Sequence, residues 1–319
     1  MATTPEQTLA DEQRRRTKAG ASAFAAALLT LAGAIVVLIA VREFPVQYLL
    51  DTLRSNLGVG PESGPGPRAR SLLYFDEHIP LFAAFQLVPA LGAAAIGVAL
   101  TFLYRSTAAR NPEVSKVALI SAVAGSVLLV VAALVTTVSL TLDVASFADA
   151  SDQSERAARD VFESPVRDVG EYLSMLGRVA LTVAIITGSL NAMRVGLLTR
   201  FMGVLGIIVG LLFLIPQLEG QVPFVKIFWL GGLGMLFLQR WPGAMPPAWV
   251  TGEAQPWPTQ QEIREQRMAA QAQRGGKDLE EKTRRPRRGR AEPPETPAPE
   301  PPRSSKPHSS SKKKKRKRR

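Results

Sequence analysis

The chain contains no cysteine and only two histidines among its 319 residues. The first absence excludes a disulfide framework, a thiol nucleophile and a cysteine-ligated metal site. The second leaves little for imidazole chemistry. His308 lies in a low-complexity tail. Only His78, in Asp76-Glu77-His78, stands where a carboxylate–histidine cluster could hold a metal or act as a base. No second histidine or paired ligand motif supports it, so His78 reads as part of an ordinary interfacial polar cluster. A Walker loop, a nucleophile elbow and an HExxH motif are all missing. No catalytic residue, cofactor or metal site is therefore expected, and the chain is read as a non-enzyme.

Charge is missing from long stretches. None occurs between Lys18 and Arg42, between Glu77 and Arg105, or between Lys116 and Asp143. A membrane-crossing helix needs about 20 largely apolar residues, because the hydrocarbon core is about 30 Å thick. The runs 19–41, 80–104 and 117–142 each meet that length. A fourth span, 172–193, works if Arg178 snorkels to water, and 201–218 makes a fifth. The sixth, 222–239, requires Lys226 to snorkel as well. The alternative is that the last two form a re-entrant pair. Arg14-Arg15-Arg16 and the small-residue triplet Ala32-Gly33-Ala34 have the look of a signal peptide. The apolar run continues to Val41, too long for that, so the first span is read as a retained anchor.

The fold class is thus all-α, a polytopic bundle of about six spans with a disordered basic C-terminal tail. Segment 1–18 precedes the transmembrane domain 19–240; a Pro-rich segment with a short helix, 241–276, and a polybasic tail, 277–319, come after it. By the positive-inside rule, the connections holding Arg14, Arg15, Arg16, Lys18, Arg105, Arg110, Lys116, Arg194, Arg200 and Arg240 are cytoplasmic. Both termini then lie inside, and Trp241 reads as an inner interfacial anchor. Arginine far outnumbers lysine before residue 241, which with the abundant alanine points to a bacterial genome and hence an inner membrane.

Between spans, Val46, Leu49, Leu50, Leu53 and Leu57 fall at helical spacing and predict an amphipathic surface helix, with a Gly/Pro turn after it over 58–67. Asp152 with Glu155 predicts a capping box in the second outer loop, and Thr259 with Glu262 predicts another that opens a short tail helix. The spans carry polar candidates for a cavity: Gln86, beside the kink-forming Pro89, and Thr136, Thr137, Ser139, Thr187, Ser189 and Asn191. Lined by Gln86, Ser189 and Asn191, such a cavity would favour transport; a dry bundle would favour an interaction role. Gly203, Gly206 and Gly210 form a small-residue stripe suited to packing of the fifth span on the sixth, or to self-association with a second copy.

Charge asymmetry marks the tail. Residues 1–240 hold 19 basic against 18 acidic side chains, and residues 241–319 hold 20 against 9. The chain ends Lys312, Lys313, Lys314, Lys315, Arg316, Lys317, Arg318, Arg319. These cations are expected to contact anionic lipid or RNA. The tail resembles that of membrane-protein insertases, which in some members meets the ribosome. That resemblance would imply a charged groove residue within a span and a long cytoplasmic helical hairpin. The spans here carry no central charge and the connection 105–116 is short, so the likeness covers the tail alone. The expected role is a structural or interaction protein of the membrane, with the lipid bilayer and a membrane-protein partner as its contacts. The alternative is a small transporter or channel subunit.

Overall fold

A computed structural model describes residues 4–44, 50, 53, 54, 57, 66–215, 223–256, 264, 265 and 268. The chain divides into two units, Met1–Trp257 and Pro258–Arg319. In the second, the described residues 264, 265 and 268 are helical. The predicted tail helix and polybasic run otherwise lie outside the described residues. The first unit is helical throughout its described elements.

Helix α1 (Pro5–Glu43) starts on a capping box: Gln7 N–H donates to Thr4 Oγ1 and Thr4 N–H donates to Gln7 Oε1, with Pro5 at the first turn. It runs unbroken through residue 18, so the expected N-terminal segment and first span are one helix. Helix α2 (Pro67–Glu77), too short and polar to stand out by hydropathy, leads into α3 (Ile79–Arg110). Helices α4 (Val117–Asp149), α5 (Glu155–Phe162) and α6 (Pro165–Arg194) come next. Then come α7 (Arg200–Leu214), α8 (Pro223–Phe237) and the single turn α9 (Ala248–Thr251).

Four of these, α1, α3, α4 and the α5–α6 segment, carry runs long and apolar enough to cross a membrane. Helices α7 and α8 have 15 residues each. At about 1.5 Å per residue they span about 22 Å, short of the hydrocarbon thickness. The expected fourth span begins earlier than predicted, because Ser164-Pro165 starts the helix and Arg178 falls near its middle.

Contacts arrange six helices in a ring, α1–α3–α4–α6–α7–α8, closed by α8 on α1. In lipid, apolar side chains gain little from facing one another rather than acyl chains, so close backbone approach and hydrogen bonding decide the packing. The α4–α6 seam shows this. A Cβ added at Gly125 would sit 2.7 Å from the Leu181 backbone nitrogen, and one at Gly177 would sit 3.1 Å from the Gly125 carbonyl oxygen. The two helices therefore meet backbone to backbone.

The ring has two unlike ends. One carries α2 and α5, packed on α4 through Ala69, Leu72, Val144, Phe147 and Ala158. Here the expected capping box is not formed. Asp152 Oδ1 instead accepts from Ser154 N–H, and Ser154 Oγ is the N-cap of α5, accepting from Ala157 N–H. Glu155 is turned away to another task. Its carboxylate accepts from Arg68 N–H at 3.1 Å, Ala69 N–H at 3.4 Å and the Arg68 guanidinium at 3.2 Å. It thereby supplies the cap that Gly66 cannot give to α2. On α5, Arg159 donates to Glu163 at 2.7 Å, and that carboxylate raises the guanidinium's pKa. Of the predicted surface helix, residues 50, 53 and 54 are helical with Leu50, Leu53 and Leu57 exposed; the remainder, like most of 58–67, lies outside the described residues.

The other end is closed by the segment after α8. Trp249 is buried and donates from Nε1 to Leu197 O at 2.8 Å, and Gln255 N–H donates to Val195 O at 3.0 Å. Gly252, in the left-handed region at φ 76, passes 2.7 Å (as Cβ) from Pro5 O. Trp241, half-buried, packs against the main core. At the centre of this end lies Arg110, with no exposed side-chain surface. Its Nε donates to Ala248 O, its Nη1 to Glu12 Oε1 and Ser106 O, and its Nη2 to Glu12 Oε2 and Ala248 O. All five guanidinium donors are satisfied, and the group also lies 5.5 Å from the Trp249 ring centroid.

Candidate functional site

Inside the ring, at the α2–α5 end, is a cavity with two lobes. The first, about 570 Å³, lies between α1, α2, α3, α4, α5 and α6. Its wall is aromatic. Phe44 and Phe75 stand 5.8 Å apart, and Phe75 and Phe82 meet edge-on at 4.0 Å. The second lobe, about 500 Å³, reaches deeper along α1, α3, α4 and α6 to Leu29, Ile96 and Leu129. Phe85, Gln86, Thr136 and Arg167 line both. Each volume falls in the range of about 300–1,000 Å³ usual for small-molecule sites.

Three cations face the deeper lobe: Arg167, Arg178 and Lys226, with Glu171 the acid among its described lining residues. Phe213 organises two of them. The Arg178 guanidinium lies 5.9 Å and the Lys226 ammonium 5.0 Å from its ring centroid. Arg178 is sixteen residues before Arg194 and Lys226 fourteen before Arg240, so both sit about 21–24 Å from the basic end of the ring. Arg167 packs over Phe162 at 5.2 Å and reaches Glu171 at 3.7 Å, while its Nη1 is buried without a hydrogen-bond partner among the described residues. Arg178 and Lys226, expected to snorkel to water, both line this cavity. An aromatic ring holds both against the cavity.

Of the predicted polar residues, the structure brings Gln86, Thr136 and Ser139 to this cavity. Thr187 instead donates to Val183 O at 2.6 Å within its own helix. Ser189 is fully buried beside Gly206, and neither it nor Asn191 lines either lobe. Pro89 lies inside α3 without ending it. Cβ atoms added to the stripe Gly203, Gly206 and Gly210 would run into Met193, Ser189 and Ile186 of α6, with Trp229 of α8 also against Gly206. The stripe therefore serves chiefly the α6–α7 contact rather than the expected pairing with the last span. Trp229 completes the junction by donating from Nε1 to Met202 O at 3.1 Å.

His78 caps the α2–α3 junction. Its Nδ1 is 3.0 Å from Tyr74 O and its ring stacks on Tyr74 at 4.2 Å. Among the described residues no group of three or more histidine, aspartate or glutamate side chains is placed to hold a metal. The cations of the cavity escape a reading by hydropathy because two of them bound apolar runs in the sequence. What betrays them is α6 continuing through Arg178 to Pro165. No family model, curated protein or solved structure matches this chain.

Proposed function

We propose that this is a multi-pass protein of a bacterial inner membrane that acts by binding, without catalysing a reaction, and that both of its termini are cytoplasmic. We read six crossings, because the runs 201–218 and 222–239 hold 18 residues each, more than α7 and α8 alone and within the range of about 17–25 that a crossing needs. A re-entrant α7–α8 pair gives four crossings and the same side for the tail, since α7 starts at Arg200 and the chain returns to Arg240 at the same end. A reporter fused after Lys313 should read cytoplasm and one inserted at Gly64 should read the outside. Agreement between the two would refute an even number of crossings.

One observation carries the binding reading. The cavity lies toward one end of the bundle, and fully buried side chains stand between it and the other end. Leu100, Leu103, Leu181, Ile185, Trp229 and Leu233 are buried beneath it, and the Arg110–Glu12–Trp249 closure lies beyond them. A ligand can therefore be held without being passed. The absence of cysteine makes the test clean, because any introduced thiol is the only one. Cysteine at Thr136 should react with an impermeant maleimide from the outside, and cysteine at Leu103 from neither side. Labelling at 103 from the cytoplasm would favour the second reading, a small transporter, to which Gln86 and the cavity cations lend themselves.

The tail is the other binding element. Near an anionic leaflet each basic residue contributes about 1 kcal/mol. A peptide of residues 277–319 should bind anionic vesicles and ignore zwitterionic ones. Binding should fall steeply with salt, as the Debye length shrinks from about 10 Å at 0.1 M to about 3 Å at 1 M. RNA retained by the tail against excess anionic lipid would move the partner from lipid to nucleic acid.

A further inference from the structure

A second cavity, about 520 Å³, opens on the outside of the ring between α1, α3 and α4. Its body is apolar, formed by Val98 of α3 and Val123 and Val127 of α4, which are among the exposed apolar residues of the bundle. Its floor is tight: a Cβ at Gly97 would lie 2.8 Å from Ser126 Cβ, so the two helices close the groove from behind. Its rim carries Arg15, Lys18 and Arg105. No acid is among its described lining residues, and none of the three cations has an ion-pair partner among the described residues.

The groove has the dimensions of one leaflet. From Arg105 to Ala94, its deepest residue on α3, is eleven residues, about 16 Å of helix. Half of a hydrocarbon core of about 30 Å is about 15 Å. Cations thus stand at headgroup level and valines at acyl-chain level, on the end of the ring that the positive-inside rule assigns to the cytoplasm.

We propose that this groove seats one anionic phospholipid, its phosphate among Arg15, Lys18 and Arg105 and one acyl chain along Val98, Val123 and Val127. The pairing is complementary in both halves of the ligand. A zwitterionic lipid offers the same chain, but its own cation would face three others. The site rests on α1, α3 and α4 crossing the membrane and is independent of the C-terminal tail.

The test uses the full chain in nanodiscs and two phospholipid probes bearing a diazirine on the acyl chain, one phosphatidylglycerol and one phosphatidylcholine. Crosslinked peptides are mapped by mass spectrometry. The anionic probe should label the Val123–Val131 region about tenfold more than the zwitterionic one. It should exceed labelling on the lipid-facing side of α7 by a similar factor. Replacing Arg15, Lys18 and Arg105 together by glutamine should remove the preference, and neutralising 312–319 should leave it intact. Val127→Trp, at an exposed position outside the core, should block labelling by both probes at the groove. Equal labelling by the two probes, or equal labelling on α7, would overturn the proposal even if the triple variant did not fold. So would a preference that disappears with the tail charges.

Discussion

Replacing Glu12 by alanine strands a guanidinium that the fold has taken out of water. Arg110 makes five donor contacts, and Glu12 accepts two of them. The variant leaves Nη1 with Ser106 O and Nη2 with Ala248 O, both at hydrogen-bond distance. It also leaves the Trp249 ring 5.5 Å away. It removes the counter-charge. Breaking a buried ion pair on one side costs about 3–5 kcal/mol. The carbonyls and the ring offset part of this, so the lower end, about 3 kcal/mol, is the expected loss. At roughly 2–4 °C per kcal/mol for a domain of this size, the thermal midpoint in detergent should fall by roughly 6–12 °C. Fluorescence-detected size exclusion after heating would measure the midpoint, and Trp249, whose ring sits on the pair, would report the local change. Glu12→Leu combined with Arg110→Met should cost much less than Glu12→Ala, since no charge is then left buried. A Glu12→Ala midpoint within about 2 °C of the parent would show that water or another acceptor serves Arg110, and the account of this closure would fail.

The packing sets three more expectations. Gly125→Val should destabilise by about 1–3 kcal/mol through overpacking, because the obstacle at 2.7 Å is backbone and cannot rotate away; a midpoint unchanged in the same assay would contradict the backbone-to-backbone seam. Glu155→Ala should cost about 0.5–2 kcal/mol by uncapping α2, and should show first as faster amide exchange at Arg68 and Ala69 rather than in α5. His78→Ala should leave folding near the parent's and should release no metal in elemental analysis, since among the described residues its ring meets the Tyr74 carbonyl and ring.

Some of this architecture was legible because hydropathy is a local property. The uncharged runs at 19–41, 80–104 and 117–142 announce helices that lipid tolerates only when every backbone group is satisfied within the segment. Helices α1, α3 and α4 contain those runs, extended at one or both ends by polar turns that hydropathy does not count. Where local signals competed, they misled. Asp152 and Glu155 have capping-box spacing, but Glu155 reaches across 87 residues to Arg68, where an uncapped helix start offers two N–H groups.

By itself the sequence determined that the chain is helical with membrane-length apolar runs, that its charge gathers at the C-terminus, and that cysteine chemistry is excluded. Tertiary structure alone decided that Arg110 and Glu12, 98 residues apart, share one buried hydrogen-bond network. It decided that Gly125 meets Gly177, that Trp249 closes one end of the ring, and that Arg178 and Lys226 converge on Phe213. The division has a physical origin. Transfer into lipid is summed residue by residue along one helix, so it can be read from the chain. The pairing of a buried charge, or the approach of two backbones, depends on which helix faces which, and that is settled only when the ring closes.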